Sequence, residues 1–460
     1  MKTGEPTTST QTTQFINNPA MIYPLRLTAL CFLWCAPLLL AGDPPNIIYV
    51  MVDDMGYGDL GCYGQAVIQT PNIDRLAREG LRFTDHYAGH TVCRPSRLVL
   101  LTGKHSGNTP IHGNSNYSLP SNTQTVTTLL KQAGYKTGGV GKWALGPPKT
   151  QGVPTKQGFD YWFGYLDQGR AHNFYPEYLW ENNSRYPLAG NIEGPKRNVS
   201  TERVTYSHDV MHDKAMAFIL QHANQRFFLQ AHYTIPHTNN EGGRATGNGQ
   251  EVPDHGIYAK EDWPEPEKGF AAMITRLDSD IGEMMTLLKK LGIEENTLVF
   301  FTSDNGAHQE GGHKMEFFNS NGALRGYKRD LYDGGIRVPM IARWPGIIQA
   351  GTQTSHPSAF WDFLPTACEL AGINAPIDTD GLSYVPTLLG KPQPKHDYLF
   401  WRAGKKFAVR KGKWKAVRVS DQQPIELYDL SKDIGEENNI ADKHRDLVAQ
   451  FKAIITKHRQ

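Results

Sequence analysis

Two apolar runs in this sequence end in oxygen-bearing side chains. Asn46–Asp54, NIIYVMVDD, closes on Asp53 and Asp54, and Thr297–Gly306, TLVFFTSDNG, closes on Asp304 and Asn305. Three carboxylates and an amide brought together repel one another unless a hard cation lies between them, and an oxygen-only donor set selects calcium or magnesium over zinc. Taken singly, each pair also reads as a turn, since Asp-Asn-Gly is strong turn chemistry. Isolated cations complement the acids: Arg97 in VCRPSRLVLLTG, Lys142 in GVGKWALG and Lys328 in LRGYKRDLYDGGIRVP. A lysine in a glycine-flanked loop approaches an oxyanion as a point charge, while arginine offers a fork of donors. His237, which ends RFFLQAHYTIPH, is a candidate proton donor, with a hydrogen-bonded core histidine as the alternative. Cys93 stands beside Arg94, Pro95 and Arg97, without the apolar neighbours of a structural cysteine.

These side chains meet only if the segments carrying them lie side by side. Asn46–Asp54, Arg226–His237 and Thr297–Gly306 share one plan: an apolar run, then polar residues and a breaker. Buried parallel strands look like this, and their carboxyl ends converge on one crevice in a doubly wound sheet. Between the last two, AAMITRLDSDIGEMMTLLKKLG spaces Met273, Leu277, Ile281, Met284 and Leu288 at the helical period and stops at Gly292. Strand, helix, strand argues an α/β fold with a large, mainly parallel sheet flanked by helices. Past Leu389 the texture changes to a Gly-, Pro- and charge-rich stretch, an alternating meander and a helix from about Lys443. We therefore expect a catalytic domain over 43–389 and a C-terminal subdomain over 390–460 made of a small antiparallel sheet plus a helix.

The chain has 460 residues, 39% hydrophobic and 20% charged, with a net charge of +2, which leaves no basic footprint for nucleic acid. Leu25–Gly42, LRLTALCFLWCAPLLLAG, reads as a secretory signal, so residues 1–42 are expected to be an N-terminal extension and signal peptide, with Met1 or Met21 as the start. The run is shorter than a spanning helix needs, so no stable membrane span is expected. The destination is then outside the cytoplasm, either periplasmic or secreted. Removal of the signal leaves Cys62, Cys93 and Cys368. An odd number strands at least one thiol, with Cys62–Cys368 a possible disulfide.

CRPSRLVLLTG resembles the C-x-P-S-R-x-x-L-L-T-G signature of the type I sulfatases of the alkaline phosphatase superfamily. The likeness continues through PNIIYVMVDDMGYGDLGCYG, GKWALG, FTSDNGAH, LRGYKRDLYDGGIRVPMIARWPG and ELYDLSKDIGEENNIA. It implies that Cys93 is oxidised to formylglycine by a formylglycine-generating enzyme that reads Cys-x-Pro-x-Arg. The resemblance further implies that Asp53, Asp54, Asp304 and Asn305 bind Ca2+ together with residue 93. Arg97, Lys142 and Lys328 would then attract sulfate, and His237 with Lys328 would protonate the departing alcohol. In many members the residue at Ala144 is a histidine; His308 and His313 are candidate replacements, or substrate ligands. GYLDQGRAHNFYPEYLWEN resembles segments of carbohydrate sulfatases, which marks Asp167, Arg170 and His172 as candidate ligands of a sulfated glycan. Two rival readings stand beside this one. A phosphodiesterase or phosphonate monoester hydrolase of the same superfamily would carry histidines among its metal ligands, whereas Asn305 follows Asp304 here. A non-catalytic glycan-binding homologue is hinted at only by Ala144.

Overall fold

The computed structural model describes residues 1, 8, 9 and 43–459, so the apolar segment 25–42 and Met21 lie outside the described residues. Fourteen strands supply its two larger sheets. They are β1 (Asn46–Val52), β2 (Leu81–Phe83), β3 (Lys136–Lys142), β4 (Tyr161–Tyr165), β5 (Tyr178–Glu181), β6 (Ser184–Pro187), β7 (Phe227–His232), β8 (Thr297–Ser303), β9 (Met340–Arg343), β10 (Thr352–Thr354), β11 (Leu399–Ala403), β12 (Lys406–Lys411), β13 (Trp414–Arg418) and β14 (Glu426–Asp429). The ten-stranded sheet runs β10-β2-β9-β8-β1-β7-β3-β4-β5-β6. Its centre, β8-β1-β7-β3-β4, is wholly parallel, and antiparallel pairs flank it. This is the mainly parallel sheet expected from the three apolar runs.

Both faces of the centre are covered, which is why its strands are apolar at consecutive positions rather than alternate ones. Ile47, Tyr49 and Met51 pack on one side with α1 (Cys93–Thr102) and α4 (Phe363–Leu370). Ile48, Val50 and Val52 pack on the other with α2 (Ser207–His222) and α3 (Glu265–Lys290). The helix read from Ala271 onward begins a turn and a half earlier, at Glu265. Glu265–Phe270 contains a proline and a glycine, which hid it, but proline in the first turn of a helix gives up no hydrogen bond. Gly292, with φ +69°, terminates it as expected. Cys62 and Cys368 are both free thiols, which overturns the possible disulfide. Among the described residues no helix is long and apolar enough to cross a membrane.

The C-terminal strands form the four-stranded antiparallel sheet β11-β12-β13-β14, covered by α5 (Arg445–Lys457). Buried charge fastens it to the large sheet's loops. Lys415 on β13 donates to Asp333 Oδ1 at 2.6 Å and lies 2.9 Å from Glu436 Oε1, with all three side chains fully buried. Burial holds the Glu436 carboxyl up at about 7 even though Lys415 pulls it down. Lys415→Met would leave buried Glu436 without its cation and Asp333 with Arg337 as its remaining cationic partner at 3.2 Å. We expect it to destabilise the fold by about 3–5 kcal/mol, the range for breaking a buried pair. A denaturant midpoint equal to that of the wild type would show that this brace contributes nothing.

Candidate active site

The carboxyl ends of four adjacent strands deliver the side chains singled out above. Asp53 and Asp54 follow β1, and Asp304 follows β8, its N–H donating to the Val52 carbonyl at 2.9 Å. Lys142 is the last residue of β3, and His237 lies five residues beyond β7. Parallel neighbours end at the same level, so the topology alone brings these residues together. Asp54 has φ +69°, a left-handed turn that lets consecutive aspartates point into the same space. Lys328 arrives from a loop held by its own N–H on the Ala307 carbonyl at 2.8 Å.

Every acid in the cluster has a cation. Lys142 Nζ donates to Asp53 Oδ2 and Lys328 Nζ to Asp54 Oδ2, each at 2.6 Å. Arg97 grips Asp304 Oδ2 with Nε at 3.0 Å and Nη2 at 2.8 Å, and lies 3.3 Å from Asp53. Burial raises the Asp53 carboxyl, but the Lys142 and Arg97 cations outweigh it and hold the group well below its ordinary range. Asp304 goes the other way, pushed up to about 7 by burial and by the charge of Asp53. Asn305 Nδ2 donates to Asp54 Oδ1 at 2.8 Å, while its buried Oδ1 has no partner. Asp53, Asp54, Cys93 and His237 each offer an atom within 4.8 Å of the others, a spacing that admits a metal ion.

Cys93 is the first residue of α1 and donates its thiol to Asp53 Oδ1 at 3.1 Å. Of its two arginine neighbours only Arg97 reaches the cluster. Arg94 turns away and braces the Ala144 and Asn114 carbonyls. His237 Nδ1 donates to the Thr238 carbonyl at 2.6 Å, which leaves Nε2 facing Lys328 Nζ at 3.3 Å and Asp54 Oδ2 at 3.4 Å. Burial, then Lys328, depress its pKa well below the usual imidazole value.

The outer residues divide. His172 stacks on His237 with ring centroids 4.8 Å apart and bonds Glu241 through Nδ1 at 3.0 Å. Asp167 is exposed and caps the backbone of Gly169 and Arg170, while Arg170 pairs with Glu193 over the ring of Tyr178. His308 bonds backbone at both ring nitrogens, to the Pro236 carbonyl and the Glu310 N–H. His313 lies against Phe270 and bonds Glu267 at 2.6 Å. None of Asp167, Arg170, His308 or His313 hydrogen-bonds the acidic cluster.

A family model described as Sulfatase matches residues 45–373, and one described as N-sulphoglucosamine sulphohydrolase, C-terminal, matches 326–460. The chain belongs to the sulfatase family. It is 34% identical to arylsulfatase A of Bos taurus, over 88% of this chain and 85% of that protein. It is 30% identical to the N-acetylgalactosamine-6-O-sulfatase of Bacteroides thetaiotaomicron, over 89% and 92%. Its fold superimposes on solved Ps i-CgsB in complex with k-i-k-neocarrahexaose with a TM-score of 0.77 at 29% identity, covering 90% of this chain and 92% of that one. This sulfatase is accordingly a sulfuric ester hydrolase.

Within this sulfatase two features escape the residue-by-residue sequence reading. Glu310, in AHQEGGH, bonds Lys328 at 3.0 Å and pairs with Arg329, so a carboxylate stands at the outer side of the cluster's cations. Its only signal was an acid in a glycine-flanked loop after the Asp304-Asn305 turn. Ala144 has φ +65° and is almost fully buried. A left-handed conformation costs an L-residue about 1–2 kcal/mol, so this turn is strained at the position whose alanine the sequence resemblance singles out.

Proposed function

We propose that this sulfatase hydrolyses sulfate monoesters on a carbohydrate, using residue 93 as formylglycine beside a calcium ion held by Asp53, Asp54, Asp304 and Asn305. The state of the Cys93 thiol carries this reading. Burial first, then Asp304 and Asp53, raise its pKa well above the ordinary value, whereas a cysteine nucleophile works as the thiolate. A side chain at the convergence of three cations, yet unfit to ionise, suits a residue remade after translation. Cys93 is also wholly buried, so a formylglycine-generating enzyme would oxidise Cys93, reading Pro95 and Arg97, before the chain folds.

The donor set fits a hard cation. It is all oxygen apart from residue 93, it includes the unpartnered Asn305 Oδ1, and it crowds Asp304 against Asp53 in a way that a positive ion relieves. When bound, calcium supplies Lewis-acid stabilisation and the residue-93 aldehyde hydrate supplies the attacking hydroxyl. The chain's own charges do the rest. Asp53, Asp54 and Asp304 balance Arg97, Lys142 and Lys328, so a divalent ion leaves a positive excess for a singly charged sulfate ester. His237 is neutral with Nε2 as acceptor, which puts the proton for the departing alcohol on Lys328 Nζ and gives His237 the task of aiming it.

Carbohydrate as the substrate class follows the names of the relatives and the His172–Glu241 rim beside His237. Export follows from the apolar segment 25–42. Mass spectrometry of the residue-93 peptide, read beside turnover of nitrophenyl sulfate and a bis-nitrophenyl phosphate, tests the reading. We expect a peptide about 18 Da lighter than the cysteine form. Sulfate turnover should scale with the converted fraction, outpace phosphate diester turnover, vanish on chelation and return with calcium. Full turnover by a sample carrying only cysteine at residue 93 would overturn the proposal.

A further inference from the structure

The Lys328 ammonium has three protons and meets three acceptors. Its Nζ donates to Asp54 Oδ2 at 2.6 Å and to Glu310 Oε2 at 3.0 Å, and it faces His237 Nε2 at 3.3 Å. The third contact is the longest and goes to a neutral acceptor, so it is the weakest. It therefore holds the proton that a departing alcohol oxygen can take most easily. A lysine ends a flexible four-carbon stem with freely turning donors, so an ammonium bound to Asp54 alone could rotate about that one contact. A second carboxylate removes this freedom.

Glu310 is itself fixed firmly enough to do so. Its Oε2 accepts a further bond from Asn240 Nδ2 at 3.1 Å, and its Oε1 pairs with Arg329. Its backbone is held too: the N–H donates to His308 Nδ1 at 3.1 Å, and the carbonyl accepts from Gln250 Nε2 at 3.0 Å. The other nitrogen of His308 donates to the Pro236 carbonyl at 3.2 Å, one residue before His237. His308 thus ties the loop carrying Glu310 to the segment carrying the acceptor of the third proton. Burial raises the Glu310 carboxyl, but the charge of Lys328 outweighs it and keeps the group an anion.

We propose that Glu310 is a positioning residue for proton transfer to the departing alcohol: with Asp54 it fixes two N–H bonds of Lys328 and so aims the third. The role rests on Lys328 being the proton donor, as proposed above. As the ester sulfur–oxygen bond breaks, its electron pair stays on the alcohol oxygen, which takes the third proton. The amine that remains keeps its two N–H bonds on Asp54 and Glu310. Turnover of nitrophenyl sulfate and of phenyl sulfate by one sample of the full-length protein tests the role. Nitrophenolate departs readily as the anion, whereas phenolate is a stronger base and draws on the proton. The ratio of two rates from one sample does not depend on how much of it is folded or converted at residue 93. Glu310→Ala should lose at least about tenfold more in kcat on phenyl sulfate than on nitrophenyl sulfate. Glu310→Gln, which keeps one oxygen for Lys328, should show a smaller difference. Lys328→Ala should favour nitrophenyl sulfate in the same direction. Equal losses on the two esters in Glu310→Ala, or a loss confined to KM, beside a selective Lys328→Ala would overturn the role of Glu310 and leave Lys328 as the donor. A Lys328→Ala that loses equally on both esters would remove the donor and, with it, the role of Glu310.

Discussion

Cys93→Ala should fold, keep the acidic cluster and lose at least about 10⁴-fold in kcat toward a sulfate ester, as expected when the attacking group of a concerted site is removed. The side chain is small and buried, and its single hydrogen bond is to Asp53, which retains Lys142 and Arg97 as partners. Stability should therefore change little while chemistry stops. Denaturant unfolding and a sulfate-release assay on the same sample separate the two effects. A variant that unfolds at the wild-type midpoint and still turns over at more than a hundredth of the wild-type rate would remove residue 93 from the mechanism. The comparison with the neutral thiol matters here. Raised by burial and its acidic neighbours, Cys93 has little thiolate to lose, so unconverted wild-type protein should resemble the alanine variant.

The strand ends were legible because three apolar runs, buried on both faces, each stop at a polar residue. Only parallel packing puts those stops at one level. The helix period gave α3 its core but not its first turn, where Pro266 and Gly269 break the pattern without breaking the helix. Composition could not tell Arg94 from Arg97. Both follow Cys93 within four residues, and helix geometry sends one toward the carbonyls of Ala144 and Asn114 and the other toward Asp304. Histidines were the least legible. His308 and His313 stand in the same loop as Asp304, yet backbone occupies both ring nitrogens of His308 and Glu267 holds Nδ1 of His313. His172, distant in sequence, stacks directly on His237. Side-chain partners of this kind depend on tertiary contacts that no local pattern encodes.

Asp53→Asn should damage both stability and turnover, and the two losses have different origins. Asp53 is fully buried and carries three contacts: Lys142 at 2.6 Å, Arg97 at 3.3 Å and the residue-93 side chain at 3.1 Å. Asparagine keeps the shape and removes the charge. Lys142 is then left buried without its carboxylate, a defect costing about 3–5 kcal/mol where nothing relaxes. Asp304 offers partial relief: burial first and then the charge of Asp53 hold it up near 7, so removing that charge favours its ionised form and its grip on Arg97. The stability loss should thus fall toward the lower end of that range. No such relief exists for the calcium ion proposed above. With one of three carboxylates gone, calcium affinity should drop at least tenfold, and kcat/KM by about 10³-fold, comparable to deleting a charge-stabilising donor. Calorimetric calcium titration beside the hydrolysis assay distinguishes the roles. Unchanged calcium affinity with lost turnover would make Asp53 the partner of Lys142 alone, and the donor set would then have to be sought among Asp54, Asp304 and Asn305.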